Sequence, residues 1–341
     1  MKTAVVILNW NGRGFLEKFL PNVIEYTSTT TGAEVIVADN GSTDDSVKWL
    51  TANHPDTRLI KFNTNYGFTG GYNKALAEIN AEYYVLLNSD IEVTPNWLEP
   101  LVQLMDSNPN IAACMPKLKA YHKKDYFEYA GAAGGFIDKY GYPFCRGRIL
   151  DTIEKDTEQY DDAYEIFWAT GASLMVRAGL YHAVKGLDED FFAHMEEIDL
   201  CWRLQRIGYK IMCEPQSVVY HVGGGALPNN SPHKLFLNYR NNLLMMYKNL
   251  PDKFYKWRIF QRMVLDGISA TIYLLTLKFS YFKAVFKAHR AFFRMRKSFR
   301  IKRKECQGKE KTPDLTGVYK GSIVLRYFMS LKKLRFSDLR F

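Results

Sequence analysis

The chain has 341 residues, 47% of them hydrophobic and 24% charged, with a net charge of +10. This is the composition of an ordinary globular protein, long enough for one large domain with an appendage or for two domains. Five scattered cysteines with no CxxC pair exclude a disulfide scaffold and a zinc knot, and they fit a reducing compartment.

The first apolar run, Ala4 to Leu8, is short and ends at Asn9, so no signal peptide is read and the chain is expected to begin in the cytosol with its first strand. Thr3 to Leu8 predicts a buried strand, and Phe15 to Glu25 an amphipathic helix. Glu34 to Ala38 is the next strand, closed by Asp39, with Ser42 or Thr43 as candidate cap of the following helix. Arg58 to Phe62 is a third strand. The glycine-rich turn from Asn65 to Gly71 opens a helix at about Tyr72 to Ile79.

Tyr83 to Leu87 is aromatic, β-branched or aliphatic throughout, and the run breaks at Asn88-Ser89-Asp90. A carboxylate at the carboxyl end of a buried strand stands where open α/β sheets bind ligands, and it serves either as an oxygen ligand for a hard cation or as a cap. Four strands alternating with three helices predict an α/β, doubly wound, mainly parallel sheet. The dinucleotide fingerprint fails, because Gly12-Arg13-Gly14 is followed by Glu17 where a third glycine is required.

A helix from Asn96 to Met105 comes next, and Lys117 to Tyr164 reads as an irregular lobe. Phe167 to Val176 gives a strand entered through a small-residue turn. Phe191 to Gly208 reads as a helix with acids in its first turn, and two short strands end at His221. The character changes past Pro251. Arg258 to Phe286 is aromatic and aliphatic at helical spacing, and every charged side chain from Lys283 to Lys304 is basic. Asp266 and Lys278 interrupt what would otherwise look like a membrane span, so an amphipathic helix on an anionic membrane surface is the expectation. A dimerisation helix pair and a nucleic-acid role are the alternatives for this segment. A short basic helix is expected in Val318 to Phe341. The division expected is a domain at 1–250 and a helical, basic appendage at 251–341.

Seven motifs occur in one order: VVILNWNG from Val5, VADNGSTDDS from Val37, NYGFTGGYNKAL from Asn65, VLLNSD from Val85, TGASLMVR from Thr170, GLDEDFFAHMEEIDLCWRLQRIGYK from Gly186 and HVGGG from His221. The ordered set resembles the family 2 glycosyltransferases of the GT-A fold, closest to rhamnosyltransferase-like members, over residues 1 to about 245.

The resemblance implies an inverting, metal-dependent transfer of a sugar from a nucleoside diphosphate to an acceptor hydroxyl, with Mg²⁺ or Mn²⁺ as cofactor. Asn88-Ser89-Asp90 matches the family's DxD position, with Asp90 and His221 as implied metal ligands. Asn88 in the leading place tilts the donor towards dTDP-rhamnose over a UDP-sugar. Asn9, Asp39, Asn65, Gly67, Gly70 and Asn73 match nucleotide-lining positions. Arg240 resembles a residue that neutralises the diphosphate. Glu197 is the implied general base, in place of the usual Asp, with Glu196 positioning the acceptor.

Asp199 and Arg203, four apart on a helix, suit a supporting ion pair. The acceptor expected is a lipid-linked or polysaccharide glycan, reached by a peripheral enzyme at the inner face of the cell membrane. No nucleic-acid partner is expected, and a homodimer is allowed. The alternative function is a non-catalytic sugar-nucleotide or glycan-binding protein of the same fold.

Overall fold

Uninterrupted apolar segments form the centre of the molecule. The computed structural model describes residues 1–223, 231–308 and 315–341. In chain order, β1 (Thr3–Asn9), α1 (Arg13–Ser28), β2 (Ala33–Asp39), α2 (Ser46–Asn53), β3 (Arg58–Lys61), α3 (Gly67–Ala77) and β4 (Tyr83–Leu87) alternate. The four strands are parallel, in the spatial order β3-β2-β1-β4. Every side chain of β4 is buried, and each large aliphatic group so removed from water contributes roughly 1.5–3 kcal/mol. The register aligns the strand ends: Asn9 pairs with Asp39, and Ile7 with Leu87. The carboxyl ends of β1, β2 and β4 therefore share one rim.

β5 (Ile91–Val93), α4 (Glu99–Ser107), β6 (Ile111–Ala120) and β7 (Lys123–Phe127) follow, and then β8 (Gly135–Asp138), β9 (Pro143–Cys145), β10 (Arg148–Ile149) and β11 (Thr152–Ile153). β12 (Tyr164–Ile166), β13 (Ser173–Arg177), α5 (Ala178–Ala183), α6 (Glu196–Arg206) and β14 (Lys210–His221) complete the second half. β13 runs antiparallel between β4 and β6, so the sheet is mixed where the alternation predicted it mainly parallel. The two strands expected after Lys210 are one, β14, with a register shift between Glu214 and Val218. Its antiparallel pairing with β5 sets His221 opposite Ile91, next in sequence to Asp90.

The expected irregular lobe contains a second sheet, in the order β11-β10-β9-β8. Its strands have two to four residues each, too few for a period to show in the sequence.

α7 (Pro232–Asn249) leads to α8 (Tyr255–Leu275) and α9 (Phe279–Gln307), which form a hairpin with α9 packed along α7. β15 (Val318–Tyr319) then joins the second sheet beside β8, and α10 (Ile323–Met329) follows. Phe336 and Phe341 lie against Phe136, with ring centroids 4.7 and 5.2 Å away. Packing thus runs across the boundary expected at 250/251. No helix among the described residues is long and apolar enough to cross a membrane.

Candidate active site

Two groups of polar residues meet at the rim. The first hangs from β1 and β2. Asn9 Nδ2 donates to Asp39 Oδ1 at 3.0 Å and to Ser42 Oγ at 3.2 Å, and Ser42 N donates to Asp39 Oδ2 at 3.0 Å. Asp39 closes this turn and does not cap α2, and Ser46 N there is met by Asp44 Oδ1, not by Ser42 or Thr43. Asn9 Oδ1 is buried with no hydrogen-bond partner. A methyl group at Gly12 would stand 2.5 Å from that atom and 3.7 Å from Ser89 Oγ, so the loop after β1 lies against the tip of β4.

α3 starts earlier than its glycines suggested. Asn65 Oδ1 accepts from Gly67 N at 2.8 Å and from Asn40 Nδ2 at 3.0 Å, closing its entry. Gly67 has φ +72° and lies against the Phe192 ring, where a Cβ would come within 2.7 Å. A Cβ at Gly70 would come 3.1 Å from Tyr66 Cβ, and one at Gly71 2.9 Å from Leu8. The structure thus gives these glycines helix packing. Asn73 is committed on both sides: Nδ2 donates to Leu187 O and Glu189 Oε1, and Oδ1 accepts from Tyr181 Oη and Leu187 N. It clamps the 187–189 segment to α3 instead of facing the rim as a free group.

The second group surrounds Asp90. His221 Nε2 is 3.3 Å from Asp90 Oδ1, and His221 Nδ1 is 3.3 Å from Glu128 Oε1 without hydrogen-bond alignment. All three are buried. Burial alone would lower the imidazole pKa, but the two carboxylates outweigh it and raise it to about 10. Burial likewise pushes the Asp90 carboxyl up, and His221 more than reverses this, leaving it below the usual range.

Two buried carboxylates flank one imidazole here, and a cation bound at Nε2 would take the place of the proton that these carboxylates otherwise hold on the ring. Oxygen and imidazole donors suit Mg²⁺ or Mn²⁺, so the residues present fit a divalent cation. Among the described residues no group of three or more His, Cys, Asp or Glu stands as a metal cluster; Asp90 and His221 form a close pair at 3.3 Å. Asn88 is half-buried at its edge, its backbone N–H held by Ala172 O at 2.9 Å. Glu128 escaped the sequence reading, since nothing in Tyr126-Phe127-Glu128-Tyr129 marks it and only the fold brings it to His221. Gly224 and Gly225 of the HVGGG motif lie outside the described residues.

The first turn of α6 faces the same region. A methyl group at Gly171 would lie 3.4 Å from Phe68 on α3 and 3.7 Å from Glu197 Cβ. Ala172 in that turn is the residue that holds the Asn88 backbone. The charges of both Glu128 and Glu197 reach the buried Cys145 thiol, whose pKa burial raises. Oε2 of Glu196 and Oε2 of Glu197 are buried without a hydrogen-bond partner. Burial raises the Glu197 carboxyl to about 7, and burial plus the Glu197 charge raises Glu196 well above the carboxylate range.

The helix expected from Phe191 begins only at Glu196, after Phe192, His194 and Met195 take left-handed φ of 67–72°. Such strain persists only where surroundings enforce it. Here Asn241 Nδ2 donates to the carbonyls of Phe191, Ala193 and His194 at 2.8–3.0 Å. Arg240 donates from Nη2 to Asp190 O and Phe191 O, and from Nε to Asn241 Oδ1. Expected to neutralise a diphosphate, Arg240 in the structure holds the strained loop through Nε and Nη2. Trp168 donates from Nε1 to Phe136 O and is buried in the core.

Asp199, by contrast, is fully engaged, by Arg203 Nε and Lys248 Nζ at 2.8 Å and Asn249 Nδ2 at 2.7 Å. A cavity of about 530 Å³ lies beyond the Asn73 clamp, lined by Asp188, Lys248, Lys302 and Cys306 among others. It contains neither the Asp90 group nor Glu197, and its Lys248 and Lys302 both pair with Asp188.

Comparison with known proteins adds to this geometry. Residues 4–171 match the family model for glycosyl transferase family 2. Over 235 residues the chain is 25% identical to an N-acetylglucosaminyl-diphospho-decaprenol L-rhamnosyltransferase of Mycobacterium tuberculosis, covering 64% of this chain and 75% of the relative. Over 247 residues it is 24% identical to the low-salt glycan biosynthesis hexosyltransferase Agl10 of Haloferax volcanii, covering 71% and 74%.

Among solved structures, GalNAc-T7 with UDP, GalNAc and Mn²⁺ aligns with a TM-score of 0.59 at 15% identity, over 75% of this chain and 49% of that one. The mannosyltransferase PcManGT of Pyrobaculum calidifontis, in complex with GDP-Man and Mn²⁺, aligns with a TM-score of 0.52 at 14% identity, over 90% and 86%. At such identities the structural likeness shows the GT-A fold alone.

Proposed function

We propose, from the premise that this chain belongs to glycosyl transferase family 2, that it carries out an inverting, metal-dependent transfer from a nucleoside-diphosphate sugar to a hydroxyl of a lipid-linked or polysaccharide acceptor. It is a glycosyltransferase of the GT-A fold. The observation that carries the finer reading is the pairing, across one rim, of the Asp90–His221 pair with the Glu197 carboxyl, one oxygen of which is buried without a partner.

Asp39 and Asn9 bind the nucleoside. Each Asp39 oxygen retains a lone pair beyond its protein bond, suited to the N3–H of thymine or uracil, and Asn9 Oδ1 offers an unpaired acceptor beside it. Asn65, Gly67 and Gly70 shape the turn alongside. Asp90 and His221 hold the divalent cation, and Asn88 flanks it. When bound, that cation supplies Lewis-acid neutralisation of charge on the departing diphosphate.

Glu197 takes the proton of the acceptor hydroxyl as the new C–O bond forms. A carboxyl poised near pH 7 suits that exchange, and burial supplies the shift. Glu196, protonated over the same range, donates a hydrogen bond to the acceptor and so positions it. Asn241 and Arg240 position both glutamates by holding the 191–194 loop. The name of the M. tuberculosis relative, an N-acetylglucosaminyl-diphospho-decaprenol L-rhamnosyltransferase, supports rhamnose as the sugar moved and a lipid-diphosphate glycan as the acceptor.

The test incubates purified chain with dTDP-rhamnose and a panel of UDP-sugars in Mn²⁺ or Mg²⁺ and measures nucleoside diphosphate release with and without acceptor. Release is expected from the wild type, with loss in Asp90→Ala and Glu197→Gln that keep the fold. A chain that turns over none of these donors would sink the reading.

A further inference from the structure

α8 is built inside out. Its buried stripe contains the charged residues Arg262 and Asp266, 4% and 0% exposed. Arg262 Nε donates to Asp266 Oδ1 at 2.7 Å and Arg262 Nη1 to Asn242 Oδ1 at 2.5 Å, while the guanidinium stacks 3.8 Å above the Tyr142 ring. His289 of α9 reaches Asp266 Oδ2 at 3.2 Å. These contacts pin the α8–α9 hairpin to α7 and to the second sheet.

The opposite face carries Trp257, Phe260, Val264, Ile268, Ile272 and Leu275, all between 48% and 76% exposed. Their spacing of three or four residues draws one continuous apolar stripe. A helix that hides its charges and shows its aromatics does so for something outside the chain. The hairpin tip continues the pattern with Leu277 and Phe279, each more than half exposed.

α9 adds the charge. Every charged side chain from Lys278 to Lys304 is basic. Phe286 and Phe293 stand out from the helix among Lys283, Lys287, Arg290, Arg294, Lys297 and Arg300, all exposed. None of these six cations has a carboxylate partner among the described residues. Aromatics interleaved with unpaired cations, beside an apolar stripe, match an anionic lipid headgroup layer above acyl chains.

We infer that the α8–α9 hairpin is a membrane-docking device: Trp257, Phe260, Val264, Ile268, Leu275 and the Leu277–Phe279 tip enter the acyl boundary of an anionic bilayer, and the α9 cations bind its headgroups. The buried Arg262–Asp266 pair fixes the hairpin to the catalytic body, so docking also fixes the rim relative to the membrane. This deepens the membrane-facing part of the proposed function, but vesicle binding is measured apart from transfer, so either can fail alone.

The experiment is co-flotation of the full chain with phosphatidylcholine vesicles, with and without about 30% phosphatidylglycerol, at roughly 0.1 M salt. Binding is expected only with the anionic lipid. It should drop at least about tenfold in a Phe260→Ser/Ile268→Ser variant and in an Arg290→Glu/Arg294→Glu variant. Both should keep wild-type nucleoside diphosphate release with a water-soluble acceptor, which shows that they fold. Indifference of the wild type to anionic vesicles overturns the inference. So does a serine variant that dissociates a dimer while still floating with vesicles, because the stripe then covers a second copy of the chain.

Discussion

The loops after β1 and β2 and the first turn of α6 both crowd polar groups into buried space, and they treat them in opposite ways. Asp39 has a donor on each oxygen, and the buried acceptor left open beside it, Asn9 Oδ1, is a neutral amide oxygen. Glu196 and Glu197 each keep a buried oxygen with no partner, three and two residues from an Asp199 that has three partners. A carboxylate satisfied on both oxygens is held rigidly at little cost, which suits a surface that must present one shape to a nucleotide. An unsatisfied buried carboxyl is costly, and it persists where a ligand completes it. The contrast assigns binding to the first region and proton transfer to the second.

Four substitutions sharpen that contrast or break it. Glu197→Gln should lose about 10³-fold in kcat with donor affinity unchanged, read by single-turnover kinetics beside nucleotide titration. The same variant tests the strain. A carboxyl that titrates near pH 7 when folded, against about 4.3 unfolded, makes the native state bind more protons between those values. Its burial therefore costs stability progressively as pH rises through that window. Thermal melts at about pH 8 should show Glu197→Gln above the wild type by about 2 °C or more, with the gap closing near pH 4. A variant less stable at both pH values would return Glu197 to the scaffold.

Asp90→Ala should cost about 10²-fold in turnover and abolish the rise in melting temperature that Mn²⁺ gives the wild type. Asp39→Ala should act on the other side of the comparison. The nucleoside diphosphate Kd should rise by roughly tenfold in calorimetry while kcat stays within about twofold, because a binding contact of that kind is worth about 1.4 kcal/mol. If kcat falls as far as in Glu197→Gln, the division between the regions fails.

The pH profile of kcat/KM should rise about tenfold from pH 6 to 8, since the base must lose its proton and its carboxyl sits near 7. That rise should vanish in Glu197→Gln. The smallest effect belongs to Glu128→Gln, which removes a charge behind His221 and should weaken Mn²⁺ binding by roughly tenfold with the fold intact.

Much of this was legible in the residues. β1 and β4 are almost uninterrupted apolar runs between polar turns, as is β2 after Glu34, and a buried parallel strand has little other way to be written. The motif order marks Asp90, His221 and Glu197 from the residues alone, and α6 holds Asp199 and Arg203 as the ion pair their spacing suggests. The second sheet was not legible, because strands as short as Arg148–Ile149 carry no period and owe their existence to partners far along the chain. Glu128 was missed for the same reason.

What the sequence determined by itself is therefore what local pattern encodes: the alternation of strand and helix, the strand-tip acids, and a basic C-terminal stretch. Tertiary structure alone decided which stripe of a helix faces inward and which polar groups remain unpaired. Asp266 interrupts an apolar run in the sequence, yet it lies with Arg262 on the buried side of α8. Arg240 reads as an anion partner, yet it is spent on a strained loop. In each case the deciding quantity is the desolvation of a charge set against the partner it meets, and that partner is supplied only when distant parts of the chain are brought together.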